Sequence, residues 1–491
     1  MSSYVIGIDI GTGSTKALAV DSKGATITSS QVHYDIDTRM PGYCEQDPEI
    51  VWNAFSSCIK KITTELKSAP EAIVLSSAMH SVIPVNESGT AIHPMIIWAD
   101  NRSASIAKRI HESSLGEMLY EQNGTPLHAM APLCKILWLK ENDKTVFRNT
   151  FKFISMKEYI WFKMFNDYQV DHSIASATAL MDIQKCEWNP NALSLLDLGN
   201  DKFSQLVATN YKRSNANSEA CSVLGILPRT IVIAGASDGC LANLGSFATD
   251  PGIAALTIGT SGAVRVASHQ PVYNFKAMTF NYRLDENTFI CGGPTNNGGV
   301  VLKWYVTNFL KLPLATADDY NKVLTTITTA PPGSSGLIFL PYLFGERAPI
   351  WNSDSFGVFF GIKSQHKQEH FTRAVVEGIS FALYDIAENL MAGGTSIRQI
   401  HVSGGFVRSS AWLQILADIF NIKVCLLNTD DASALGAAFL GLKEMGMISD
   451  IKALQPGTVK EVLPHRAHHE LYRKNFEAYR KVYNCTKELM I

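Results

Sequence analysis

A chain of 491 residues is too long for one ordinary hydrophobic core, so two large domains are expected. With 46% hydrophobic and 18% charged residues and a formal net charge of −2, the composition is that of a soluble globular protein and argues against a nucleic-acid or membrane partner. Nine scattered cysteines without a C-x-x-C pair predict reduced thiols in the cytoplasm, and neither a signal peptide nor a bilayer-spanning run is apparent.

The first predicted element is a short buried strand, Val5 to Ile10. The following Gly11-Thr12-Gly13-Ser14-Thr15-Lys16 has the glycines and hydroxyls of a phosphate loop, yet fits neither the Walker spacing nor the dinucleotide fingerprint. A second run, Thr15 to Val20, and a third strand, Thr26 to His33, make the loop the tip of a hairpin. Gly11 and Gly13 let backbone N–H groups approach a ligand, and Thr12, Ser14 and Thr15 add hydroxyls. An ordinary glycine-rich turn is the plainer alternative. Asp9 has the chemistry to hold Mg2+, which binds through one or two carboxylates; equally, a strand-end aspartate can hydrogen-bond the turn.

Asp47 and Pro48 begin a predicted helix with an apolar stripe of Ile50, Val51, Ala54, Phe55, Cys58, Ile59 and Ile62. Glu71 to Ser81 reads as a strand running out at Met79-His80. In IAGASDGCLANLG, Asp238 lies between a strand and a helix among small neighbours, free to meet a ligand, with helix capping as the bland alternative. An aspartate there could accept a hydroxyl proton during phosphoryl transfer, and the helix N-terminus is expected to keep it ionised. Ile10-Gly11-Thr12 recurs as Ile258-Gly259-Thr260, 248 residues later, again between two apolar runs. The repeat predicts two related domains, 1–245 and 246–491, whose hairpins could grip a nucleotide's phosphates in the cleft between them.

GGPTNNGGVVLKWY supplies Gly299 and Lys303 near a helix start, and HVSGGFVRSS brings Gly404-Gly405 to a strand end; each suits a nucleoside or only a tight turn. Strand–loop–helix alternation throughout predicts α/β domains with mixed sheets. The segment of about 466–490 reads as an amphipathic helix with Leu471, Tyr472, Phe476, Tyr479 and Tyr483 on one face, packed on its own domain. HRAHH at 465–469 has no carboxylate or cysteine beside it in sequence, which argues against a metal site.

Together these segments resemble the FGGY family of carbohydrate kinases, relatives of actin and hexokinase. MAPLCKILWLKEN, Met130 to Asn142, is similar to the family's first signature, and GVFFGIKSQHKQEHFTRAVVE, Gly357 to Glu377, to its second. With both hairpins and DASALGAAFLGL, the likeness covers nearly all of residues 4 to 445. It implies an α/β fold of two ribonuclease H-like domains of the actin/hexokinase ATPase type, with mixed sheets flanked by helices and an interdomain cleft. The N-terminal domain would bind sugar and the C-terminal one nucleotide. By position, the resemblance implies Asp238 as the catalytic base and Asp9 as the carboxylate that holds Mg2+ through water. Thr12, Gly13, Ser14 and Lys16, with Gly259 and Thr260, match the phosphate loops of an ATP site; Gly299, Lys303, Gly405 and Ser409 match its nucleoside side. Met79-His80 matches the sugar-contacting dipeptide, with Trp98, Asp100 and Arg102 lining the same pocket.

Glycerol kinases carry Arg-Glu where this chain has Met79-His80, and a glutamine where it has Gly239, which disfavours glycerol. TIGTSGAVR, NNGGVVLKW and LPYLFGERAPIWN look most like the gluconokinase branch, implying ATP-dependent phosphorylation of the primary hydroxyl of D-gluconate to 6-phospho-D-gluconate. Xylulokinase, or another pentulose or sugar-acid kinase of the family, is the alternative, because Met-His is shared. A sugar acid needs a cation for its carboxylate; Arg102, His80 and Lys135 are candidates, each with a structural role as an equal alternative. Outside the family, an actin- or chaperone-like ATPase would lack an acceptor. Intact Asp9 and Asp238 argue against a nonenzymatic sugar sensor. A homodimer is one option for its assembly.

Overall fold

In the computed structural model, which describes residues 3–313, 317–428, 431–455 and 457–490, the opening segments form β1 (Tyr4–Ile10), β2 (Ser14–Asp21) and β3 (Thr26–His33). β1 and β2 pair antiparallel with Asp9 opposite Lys16, so the glycine loop is a hairpin tip, as expected. β4 (Ala72–Ser77) lies parallel to β1. Beyond it come β5 (Lys212–Arg213) and β6 (Ile231–Ile233), the latter parallel to β4, in the order β5-β6-β4-β1-β2-β3.

The second half repeats the plan with β7 (Ile253–Ile258), β8 (Gly262–Ser268), β9 (Phe280–Arg283), β10 (Phe289–Thr295), β11 (Gln399–Ser403), β12 (Lys423–Leu427) and β13 (Thr458–Val462). Their order is β9-β10-β8-β7-β11-β12-β13. β7 and β8 form the second antiparallel hairpin, and β11 and β12 run parallel to β7. Each duplicated hairpin therefore seeds a mixed sheet of one design.

The helices that matter for the site are α1 (Pro48–Leu66), α2 (Met156–Phe165), α3 (Asp238–Gly245), α4 (Gln368–Ala392), α5 (Ala432–Glu444) and α6 (Arg466–Thr486). Ile6, Ile8 and Ile10 of β1 share a core with Val51, Phe55, Cys58, Ile59 and Ile62 of α1. Ile50 is the exception to the predicted stripe: it is 52% exposed, and Trp52 is buried instead. The two-residue period of a strand places Val5, Gly7 and Asp9 on the opposite face. There Val5 packs with Leu241 and Leu244 of α3 and with Ala434, Ala438 and Leu442 of α5.

α3 and α5 cross at Gly245 and Gly436, where a methyl group on either glycine would overlap the other helix's backbone. A methyl on Gly7 would overlap Ala434 and Ala438 in the same way. α5 thus returns from the second half of the sequence to lie on β1, β2 and β4. At the C-terminus α6 buries Tyr472, Phe476, Tyr479 and Val482, whereas Leu471, expected on that face, is 39% exposed. The start of α6 is anchored by Asp418, which accepts from the His465 N–H at 2.7 Å and meets His468 Nδ1 at 2.8 Å. That carboxylate, missing from the neighbouring sequence, comes from the helix Ser410–Phe420. All nine cysteines are free, and among the described residues no helix is long and apolar enough to cross a membrane.

Candidate active site

β1, β4 and β6 are parallel neighbours, so the loops that leave their C-terminal ends gather on one edge of the first sheet. These loops carry Thr12, Met79-His80 and Asp238. The Ala78 N–H donates to Ile10 O at 2.9 Å, and Ser77 bridges Ser237, which holds the three together. The equivalent edge of the second sheet carries Gly259–Ser261 after β7 and Gly404-Gly405 after β11. Both edges face one cavity of about 300 Å³, lined from the first half by Thr12, Met79, His80, Trp98 and Asp238. From the second half it takes Gly259, Ser261, Arg265, Tyr282 and Arg347.

Asp238 is freed for chemistry by its neighbour. Ser237 is the N-cap of α3 and accepts from the Cys240 N–H, while the Asp238 carboxylate accepts the Gly239 N–H at 2.7 Å and no side chain among the described residues bonds to it. The loop is braced from below. Lys157 of α2 donates to Asp171 at 2.7 Å and to Ala236 O at 3.0 Å, and Ser173 Oγ lies 3.0 Å from Ser237 Oγ. The helix N-terminus is expected to favour the ionised form of Asp238; burial works against that charge and raises its pKa, outweighing the opposing pull of Arg265, the Gly239 N–H and Lys157. A carboxylate whose pKa is raised is a better proton acceptor. Because only the ionised form accepts a proton, activity is lost as pH falls through this raised pKa. The acid limb of kcat/KM is therefore expected to have its midpoint above about 3.9, the value of an unperturbed aspartate. A pH–rate profile with its acid midpoint at or below that value would count against Asp238 as the base.

Asp9 receives the Ser76 hydroxyl at 3.2 Å, and no described residue hydrogen-bonds its other oxygen. Burial, then the charge of Asp238, pushes its pKa up to about 7, with Asp431 adding to the repulsion and Lys16 opposing it. Three carboxylates against one ammonium leave negative charge that a hard divalent cation can offset, so the oxygen donors here fit Mg2+. Lys16 itself is ion-paired with Asp431, a bond that joins the first hairpin to the N-terminus of α5. Thr12 belongs to both parts of the site: its hydroxyl accepts from Trp98 Nε1 at 2.8 Å. Gly13 is exposed at the hairpin tip, and Ser14 receives Gln31 Nε2 at 3.0 Å.

On the far side, the Gly299 N–H donates to Gly259 O at 2.8 Å and the Val300 N–H to Thr260 O at 3.1 Å, so the second hairpin tip docks on a helix start. Gly404, at φ 109°, lies directly against the Ile258 carbonyl, where a side chain has no room. Gly405 beside it is open, and Lys303 is exposed. Ser409 is buried and its hydroxyl caps the helix Ser410–Phe420.

His80 lines the cavity in a left-handed backbone conformation, φ 69°, uncommon for a residue with a side chain. Its Nδ1 meets Ala177 O at 2.7 Å and its Nε2 the Tyr282 hydroxyl at 3.2 Å. A carbonyl can only accept, so Nδ1 carries the proton. Burial, with help from Lys135, lowers its pKa to about 3 and keeps the ring neutral.

The three cations put forward for a sugar carboxylate are all engaged elsewhere. Arg102 is paired with Asp100 and Glu45 and stacked 3.7 Å from the Tyr43 ring centroid; neither Asp100 nor Arg102 reaches the cavity lining. Lys135 is fully buried and donates to His80 O and Ile97 O at 2.6 and 2.7 Å, bracing two lining segments. His80 is neutral. Arg265, Arg347 and Lys157 were not singled out from the sequence. The available signal for Arg265 was a lone cation in the apolar strand Ala263-Val264-Arg265-Val266-Ala267.

Residues 4–245 match the model of the FGGY family of carbohydrate kinases, N-terminal domain, and residues 254–445 match its C-terminal domain. A gluconokinase of Bacillus subtilis is 40% identical over 466 residues, covering 92% of this chain and 90% of its own. A xylulose kinase of Staphylococcus epidermidis is 30% identical over 497 residues, covering 100% and 98%. Two solved structures from Lactobacillus acidophilus, one described as a gluconate kinase and one as a ligand-bound xylulose kinase, each superpose with a TM-score of 0.94 at 33% identity, covering 99% of this chain and 98% of theirs.

Proposed function

The chain belongs to the FGGY family of carbohydrate kinases, and on that premise we propose that it transfers a phosphoryl group from ATP to the primary hydroxyl of D-gluconate, giving 6-phospho-D-gluconate and ADP. The observation that carries this reading is the single cavity shared by Thr12, Asp238 and the Gly259–Ser261 loop. An acceptor hydroxyl beside Asp238 lies between two hairpins suited to phosphate. The ten-point lead in identity of the gluconokinase relative over the xylulose kinase favours gluconate over xylulose.

Phosphoryl transfer asks the protein chiefly for alignment and charge stabilisation. Asp238 orients the hydroxyl and takes its proton as the bond to phosphorus forms. Backbone N–H groups at Thr12–Ser14 and Thr260–Ser261, with the Lys16 ammonium, would receive the phosphate oxygens. Asp9 would hold Mg2+, which supplies charge neutralisation on the triphosphate when bound. Gly299, Lys303, Gly405 and Ser409 are proposed to shape the nucleoside end, Ser409 through the helix it caps. Met79, His80 and Trp98 form walls of the sugar pocket, His80 presenting a neutral ring fixed at both nitrogens.

ADP release measured in a coupled assay with D-gluconate, D-xylulose, glycerol and no acceptor tests the reading. Gluconate is expected to give the highest kcat/KM, with ADP release near background in its absence. A higher value for xylulose would transfer the assignment to the pentulose alternative. Equal ADP release without acceptor would make the protein a plain ATPase.

A further inference from the structure

Arg265 occupies the middle of β8, opposite Ala255 of β7 and Gly292 of β10. Along this strand Val264 and Val266 join the core of the second half, so the alternation turns Ala263 and Arg265 to the other face, where both line the cavity. The small neighbours leave room for a long side chain. Gly239 does the same from the opposite wall: a methyl group there would stand 3.2 Å from Arg265 Nε.

A guanidinium in such a place ordinarily has acceptors of its own, because desolvating an unpaired charge is costly. Among the described residues, Arg265 has no ion-pair partner within bonding range and no hydrogen-bond acceptor, so its fork of donors is uncommitted. Asp238, the negative charge that acts on it most strongly, is also the sole acid in the cavity lining. Arg347 stands on the same cavity. It donates Nε to Asn296 Oδ1 at 2.8 Å and Nη2 to Thr295 O at 3.4 Å, and its guanidinium carbon lies 5.0 Å from the Trp98 ring centroid. No carboxylate pairs with it at ion-pair distance, and its Nη1 is free of described acceptors. Two arginines that repel each other, both facing a cavity whose lining holds a single acid, form a receptor for a small anion.

We infer that Arg265, seconded by Arg347, binds the carboxylate of the sugar acid and makes this kinase selective for an anionic acceptor over a neutral polyol. The inference rests on gluconate being the substrate, and it replaces Arg102, His80 and Lys135 with two cations that are available. A planar carboxylate accepts two parallel N–H bonds from a guanidinium, which fixes the orientation of the chain as well as its charge. Asp238 lines the same cavity as the two arginines, so the hydroxyls of the bound acid share that space with the base.

The wild-type enzyme is assayed first with D-gluconate, then Arg265→Met and Arg265→Lys, with D-glucitol as a competitive inhibitor that has the same length and no carboxylate. Arg265→Met is expected to raise KM for gluconate by about 100-fold and Arg265→Lys by about 10-fold, with KM for MgATP unchanged. The preference for gluconate over glucitol, read as Ki of glucitol over KM of gluconate, should collapse in Arg265→Met. Should that variant fail to fold, Arg265→Lys and Arg347→Gln carry the same comparison. A KM that rises less than about twofold, or a glucitol Ki that rises by the same factor as KM, overturns the assignment. A wild-type enzyme that ignores gluconate while phosphorylating a neutral sugar overturns the proposed function itself, and this inference with it.

Discussion

Asp238→Asn is expected to lower kcat for gluconate phosphorylation by about 10²–10⁴-fold, the range associated with loss of a positioned general base. Asparagine keeps the shape of the side chain, and its carbonyl oxygen can still accept the Gly239 N–H that Asp238 receives at 2.7 Å. What it lacks is the capacity to take a proton. Because burial disfavours the charged aspartate, the amide should not reduce thermal stability, and with the carboxylate's charge removed Asp9 is relieved of its largest repulsion. MgATP affinity by calorimetry should stay within about twofold, which separates loss of chemistry from loss of binding. A variant with wild-type turnover would remove Asp238 from the mechanism.

The second large effect is expected at Gly436. A methyl group there would overlap the Leu241 carbonyl and stand 2.8 Å from the Gly245 nitrogen, and both obstacles are backbone of α3. No rotamer change relieves a clash between a Cβ and a main chain, so Gly436→Ala must push α5 from α3. Overpacking of this kind costs about 1–3 kcal/mol when side chains can yield, and here they cannot, so a loss of at least about 3 kcal/mol is expected. Chemical denaturation would register it. Activity should fall as well, because Asp238 is the first residue of α3. Gly457→Ala, at an exposed glycine with nothing within 4 Å of the added carbon, should be neutral and serves as the control.

The fold was legible where sequence chemistry is local. The two hairpins announced themselves by apolar runs around glycine and hydroxyl clusters, and Asp47-Pro48 fixed the start of α1. Asp238 was visible because small neighbours isolate it, although its alternative role as a cap was settled only by Ser237 taking that position. Long-range partnership was not legible. Asp100 and Arg102 look like pocket residues in a string, but Glu45 and the Cys44 N–H, more than fifty residues earlier, complete a closed ion-pair network around them. Lys135 looks like a spare cation until two carbonyls from separate loops are found on it. Arg265 passed as one charge in a strand, because its significance lies in what it fails to meet. The left-handed backbone of His80 leaves no trace in residue type.

The return of α5 to the first sheet bears on how the chain is made. Translation delivers β1, β2, β4 and β6 long before residues 432–444, so the side bearing Val5, Leu18, Val20 and Val74 leaves the ribosome without the cover that α5 supplies. Uncovered apolar strands recruit other chains, which makes this interval the hazardous one for aggregation. A gene cut at residue 245 would release a sheet open on one side. Swapping halves between relatives as separate cassettes would strand each sheet with a foreign helix, unless α5 travels with the first half.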